Sequence, residues 1–195
     1  MGRMKTTIYL MRHGAVENPG QIEYGRLPGF PLSSQGLEQA RVMAQTLKRQ
    51  APEICRIAAS PLERTRQTAD IVAAALNAPV RIDERANEWD EGPWEGKPTK
   101  DFDDKSGYYD VPMNMAGLEP LDRTADRVIA AVRDLAVECP GRASLIVSHR
   151  ESMAAAILKL QGADFAAIHD LDMPVASVWR LEFEDGKFQH AERAW

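Results

Sequence analysis

Four short apolar runs, "TTIYLM", "RIAAS", "VRIDE" and "ASLIVS", alternate along the chain with segments of helical period. No other feature restricts the fold so much, because strands separated by helix-length crossovers build a largely parallel sheet. The expected architecture is a three-layer α/β/α sandwich, completed by "SVWRLEFE" and "KFQHAER" as a hairpin turning at Asp185-Gly186. At 195 residues the chain fits a single domain spanning 1–195 and buries a core without disulfide or metal support.

The helices are legible from their faces and ends. The first is expected after Ser33, with Leu37, Ala40, Ala44 and Leu47 on one side. Ser60, Pro61 and Glu63 read as a capping box opening the second, whose apolar stripe is Thr65, Ala69, Val72 and Leu76. A third runs from about Asp122 with Val128, Ala131, Val132 and Leu135 inward, and stops before Pro140-Gly141. A fourth follows His149 and ends near Gly162. Between Gly96 and Pro120 the periodicity lapses, and this stretch is expected to cross the surface as a lid or binding loop.

Charge and composition narrow the function. A formal net charge of -5 argues against a nucleic-acid partner, which needs a basic face. No apolar run is long enough to span a membrane, and the first one stops at Arg12. Only two cysteines occur, Cys55 and Cys139, and they read as reduced thiols in a cytoplasmic protein.

Sites in open α/β sheets form beyond the carboxyl ends of the strands. There the runs deliver Arg12-His13-Gly14, then Ser60 with Arg64 one turn into its helix, then Glu88, then His149. Two guanidiniums, two imidazoles and one carboxyl at one rim suit phosphoryl transfer. Arginine forks hold the equatorial oxygens, a neutral imidazole attacks, and a carboxylic acid protonates the leaving oxygen. Each residue alone has an ordinary structural reading; their arrival at equivalent strand ends is what points to chemistry.

With these residues in place the chain resembles the histidine phosphatase superfamily, the phosphoglycerate mutase-like group, over nearly its whole length. "LMRHG", "LSSQGLEQA", "ASPLERTRQTA", "NEWDEGPWEG" and "LIVSH" carry the resemblance. It implies that His13 is the nucleophile, that Arg12, Arg64 and His149 complete the phosphate pocket, and that Glu88 is the proton donor and later the base. It implies a small phosphorylated substrate and no cofactor or metal, and it admits a homodimer. The pattern departs where family members carry threonine and asparagine after the glycine, since Val16 and Pro19 stand there and Asn18 is offered as the neighbouring phosphate contact. After the second histidine, Arg150 and Glu151 replace a usual glycine, and Arg150 is a further candidate substrate contact. Hydrolysis is the expected reaction. A mutase, a protein phosphohistidine phosphatase and a non-catalytic anion-binding relative are the alternatives. The short acidic 96–120 stretch disfavours the mutase, and retention of both His13 and Glu88 disfavours mere binding. Trp89, Trp94, Phe102, Tyr108 and Tyr109 are candidate walls of the pocket.

Overall fold

The computed structural model describes residues 4–102 and 117–195. Strands β1 (Lys5–Arg12), β2 (Ile54–Ala59), β3 (Val80–Ile82), β4 (Ala143–Ser148), β5 (Val178–Glu184) and β6 (Lys187–Arg193) form one sheet in the order β3-β2-β4-β1-β5-β6. The first four in that order are mutually parallel, and β5 and β6 close one edge antiparallel. The expected α/β sandwich is therefore the fold observed. Asp185 and Gly186 both take positive φ, as the tight hairpin requires.

Alternation along the strands explains the layering. Ile8 and Leu10 of β1 face the layer of α3 (Leu121–Glu138) and α4 (Arg150–Gln161), whereas Tyr9 and Met11 face α1 (Ser34–Gln50) and α2 (Glu63–Leu76). Helix α3 matches its expected face: Val128, Ala131, Val132 and Leu135 are fully buried, while Asp126, Arg133 and Asp134 are exposed. Burying a side chain the size of Leu135 stabilises the fold by about 2 kcal/mol. Among the described residues no helix is long and apolar enough to cross a membrane.

Two local expectations need correction. On α1, Ser33 caps as expected by accepting the Gly36 N–H at 3.0 Å, but Gly36 is buried and Leu37 only half-buried. The reason is steric: a Cβ on Gly36 would lie 1.9 Å from the Ala15 carbonyl oxygen, and one on Gly14 would lie 2.5 Å from that of Gly36. The two glycines let the start of α1 press against the backbone just after β1. Gly14 thus serves close chain packing. On α2, the helix begins at Glu63 with Leu62 at the cap, and no side-chain capping bond forms. Ser60 lies too far upstream, and its hydroxyl is engaged elsewhere.

The 96–120 stretch is described only at its ends. Ile22 bridges Pro98, the Thr99 N–H donates to the Gln21 carbonyl at 2.8 Å, and the Glu119 N–H donates to that of Asp90 at 3.0 Å. Tyr108 and Tyr109, the side chain of Phe102 and the middle of the expected lid lie outside the described residues.

Candidate active site

Strand β1 ends by placing Arg12 and His13 at the carboxyl rim, where the His13 N–H pairs with the Ser148 carbonyl at 3.2 Å. His13 is 2 % exposed. Its Nδ1 lies 2.7 Å from the Gly14 carbonyl oxygen. That oxygen can only accept, so Nδ1 carries the proton and Nε2 keeps its lone pair. Burial, with Arg64 and then Arg12 adding positive charge nearby, holds the imidazole well below its usual pKa, so it is neutral at pH 7.

His149 follows β4 and forms the cap position of α4. Its ring stands edge-on to that of His13, with centroids 5.2 Å apart. Nε2 is 2.7 Å from the Ser60 hydroxyl just after β2. Nδ1 lies 3.3 Å from Glu88 Oε2 but makes no hydrogen bond. Burial and Arg64 also push this imidazole well below its usual pKa.

Arg64 projects from the first turn of α2, is 1 % exposed, and donates through Nη2 to the Gly25 carbonyl at 2.6 Å. Its guanidinium lies 4.8 Å from the centre of the Tyr24 ring. Arg12 donates through Nη1 to the Met173 carbonyl at 2.6 Å. Among the described residues the Nε atoms of both arginines, like His149 Nδ1, are buried without a hydrogen-bond partner. A buried donor left unsatisfied costs about 1–3 kcal/mol. An anion placed beside the neutral imidazole would give such donors a partner.

Glu88 belongs to the loop after β3, and its Oε1 accepts the Trp89 N–H at 2.8 Å. The carboxyl is 5 % exposed. Burial, reinforced by the Glu151 carboxylate and only partly opposed by Arg64, pushes its pKa up to about 8. It is therefore mostly a neutral acid at pH 7.

The Glu88 loop hangs on two arginines that pattern reading did not single out. Arg127 of α3 donates to the carbonyls of Arg85, Asn87 and Glu88 at 2.8, 2.6 and 2.9 Å, and grips Glu119 with Nε and Nη2. Arg26 donates to the Glu88 carbonyl at 2.7 Å and pairs with Asp90 and Glu119. Ser148 and Ser152 donate to the carbonyls of Ala86 and Asn87 at 2.7 and 2.8 Å. A half-buried arginine on an otherwise apolar helix face was the only signal for Arg127, and surface salt bridges give the same one.

The remaining candidates are placed differently. Asn18 uses both ends of its side-chain amide on the Ile22 backbone, at 2.9 and 3.2 Å, closing its own loop. Arg150 donates to the Ile168 carbonyl at 3.2 Å and pairs with Glu151 at 3.3 Å. Trp89 is a core residue, 3 % exposed, with its indole N–H on the Glu119 carbonyl. Trp94 is half-buried beneath the Lys97 ammonium, 4.3 Å from the ring centre.

Comparison with known proteins identifies the family. The model of the histidine phosphatase superfamily (branch 1) matches residues 8–195. The chain is 32% identical over 190 residues to the adenosylcobalamin/alpha-ribazole phosphatase of Salmonella typhimurium, covering 92% of this chain and 86% of the other. Among solved structures it is similar to the mycobacterial glucosyl-3-phosphoglycerate phosphatase Rv2419c, with a TM-score of 0.80, 25% identity and 97% of each chain covered. It is equally similar to Bacillus stearothermophilus YhfR, with a TM-score of 0.83, 25% identity and 94% of each chain covered.

Proposed function

Because the chain belongs to the histidine phosphatase superfamily, we propose that it hydrolyses a small organic phosphate monoester through a phosphoryl group carried transiently on His13. One observation supports this reading: Arg12, Arg64 and His149 each carry a buried nitrogen with no hydrogen-bond partner among the described residues, beside an imidazole whose Nδ1 proton leaves the lone pair on Nε2.

In the proposed cycle the Arg12 and Arg64 guanidiniums hold the equatorial oxygens of the dianion, and His149 donates to one of them through Nδ1. His13 Nε2 attacks phosphorus in line. As the bond to the leaving oxygen breaks, Glu88 gives up its proton to the departing alkoxide. The resulting carboxylate then takes a proton from water, which attacks the phosphoryl-histidine and releases inorganic phosphate. Two guanidiniums supply the charge that a metal ion supplies in other phosphatases, so the reaction proceeds with chelator present. The two free thiols fit a reducing, cytoplasmic setting. Alpha-ribazole phosphate and glucosyl-3-phosphoglycerate, named for the relatives, are the first substrates to assay.

Labelled substrate and an alkaline quench, which spares phosphohistidine, test the scheme. Label should appear on a peptide containing His13, and His13→Ala should lose both the label and all measurable turnover while its circular dichroism stays unchanged. Wild-type-like turnover by His13→Ala would exclude this mechanism.

A further inference from the structure

Cys55 and Cys139 are far apart in sequence and adjacent in the fold. Cys55 lies at the start of β2, where the register with β4 shifts between Ile54 and Ile57, and its thiol donates to the Ala143 carbonyl at 3.3 Å. Cys139 ends α3, and its carbonyl accepts the Arg142 N–H at 3.2 Å, so a tight turn returns the chain to Ala143 beside Cys55. The two thiols act on each other electrostatically across this turn, and the buried Ser144 adjoins them. Cys55 is half-buried and gives access from solvent; Cys139 sits beneath it.

We infer that Cys55 and Cys139 form a reversible thiol pair that a hydroperoxide closes into an intramolecular disulfide. The more reactive member is Cys139: burial pushes its pKa up, but the neighbouring Cys55, Ser144 and Arg56 outweigh burial and lower it, whereas burial raises that of Cys55. The Cys139 thiolate attacks the peroxide: an S–O bond forms, the O–O bond breaks, and hydroxide leaves. This oxidises the sulfur by two electrons to a sulfenic acid. Cys55 then displaces the sulfenic oxygen, which leaves as water while the S–S bond forms. Two thiols and one hydrogen peroxide thus give one disulfide and two waters, and an added dithiol reverses the change.

The pair lies at the amino ends of β2 and β4, about 17 Å along the strand from the rim that holds His149. Closing it therefore leaves the phosphate pocket untouched. It does tie β2 to α3 across a loop of roughly 85 residues, and restricting so long a loop disfavours the unfolded chain. The inference stands independently of the proposed hydrolysis.

Graded hydrogen peroxide on the whole chain, followed by alkylation and tryptic mapping, tests it. The expected product is peptide 50–56 cross-linked to peptide 134–142, with both alkylation sites lost and both restored by dithiothreitol. The melting temperature should rise by about 5 °C. Turnover of p-nitrophenyl phosphate should stay within about twofold of the untreated chain. In Cys55→Ser, which should keep that turnover, Cys139 should instead proceed to sulfinic acid at the same dose. Separate oxidation of the two cysteines in the unmodified chain, bridges between chains, or thiols still alkylatable after full exposure would each overturn the inference.

Discussion

Ser60 contributes a single hydroxyl, and the direction of its proton determines which nitrogen of His149 can serve a phosphoryl oxygen. Ser60 Oγ accepts the Leu62 N–H at 3.3 Å and lies 3.1 Å from Thr65 Oγ1. By donating to Nε2 at 2.7 Å it leaves the ring hydrogen on Nδ1, the atom that faces Glu88. Ser60→Ala should lower kcat by about tenfold or more and change the imidazole ¹⁵N signature of His149, with the melting temperature altered far less. An unchanged tautomer would dismiss this role. Glu88 makes the second prediction at this scale. A general acid with a pKa near 8 works below that pH, so kcat/KM for alkyl phosphates should fall as pH rises through about 8. Glu88→Gln should remove that limb and slow alkyl phosphates by a hundredfold or more, on the order of general-acid contributions. It should slow p-nitrophenyl phosphate much less, because p-nitrophenolate leaves without protonation. Equal slowing of both substrate types would refute the acid role.

The elements that carry these side chains are positioned by ordinary packing, and the Glu88 loop draws the most bonds from one residue, Arg127. Helix α3 turns its apolar stripe to the sheet and extends Arg127 from its flank under the Glu88 loop, so the same helix builds core and site. Removing that guanidinium takes away a donor of the Arg85 carbonyl, leaves the Asn87 and Glu88 carbonyls to Ser152 and Arg26, and costs Glu119 its bidentate partner. Arg127→Met, which keeps the stem, should cut kcat by about tenfold through misplacement of the acid and should cost about 2–4 kcal/mol in a urea titration. Loss of stability with kcat intact would show that the loop holds its place without Arg127. The helices also mark where pattern reading succeeds and where it stops. The stripe of α3 and the end of α4 at Gly162 were legible because periodicity and left-handed caps are local. The capping box at Ser60 and Glu63 was not realised, because α2 begins only at Glu63, with Leu62 in the cap position.

For the whole molecule the pocket sets a pH optimum of stability. His13 and His149 have depressed pKa values, so below about 6.5 the unfolded chain binds protons that the folded chain refuses, and stability falls with falling pH. Glu88 acts oppositely: between its ordinary value of 4.5 and about 8 the folded chain keeps a proton that the unfolded chain has lost, so stability falls with rising pH. At pH 5–6.5 the two imidazoles outweigh the single carboxyl; above 6.5 only Glu88 remains. These three groups together favour the fold most near pH 6.5. Relative to Glu88→Gln, the wild-type chain should lose about 2 kcal/mol between pH 6.5 and 8. A difference that stays flat across that range, measured by denaturant titration, would mean that Glu88 is already ionised in the fold. The sequence by itself determined the layer order and the rim to which Arg12, His13, Arg64, Glu88 and His149 are delivered, since strand alternation, helix period and strand ends are properties of short segments. Only the tertiary structure decided the tautomers, the proton on Glu88, the arginine that carries its loop, and the meeting of Cys55 with Cys139. Each of those depends on distance and solvent exclusion between segments far apart in the chain, and neither quantity exists until the layers have closed.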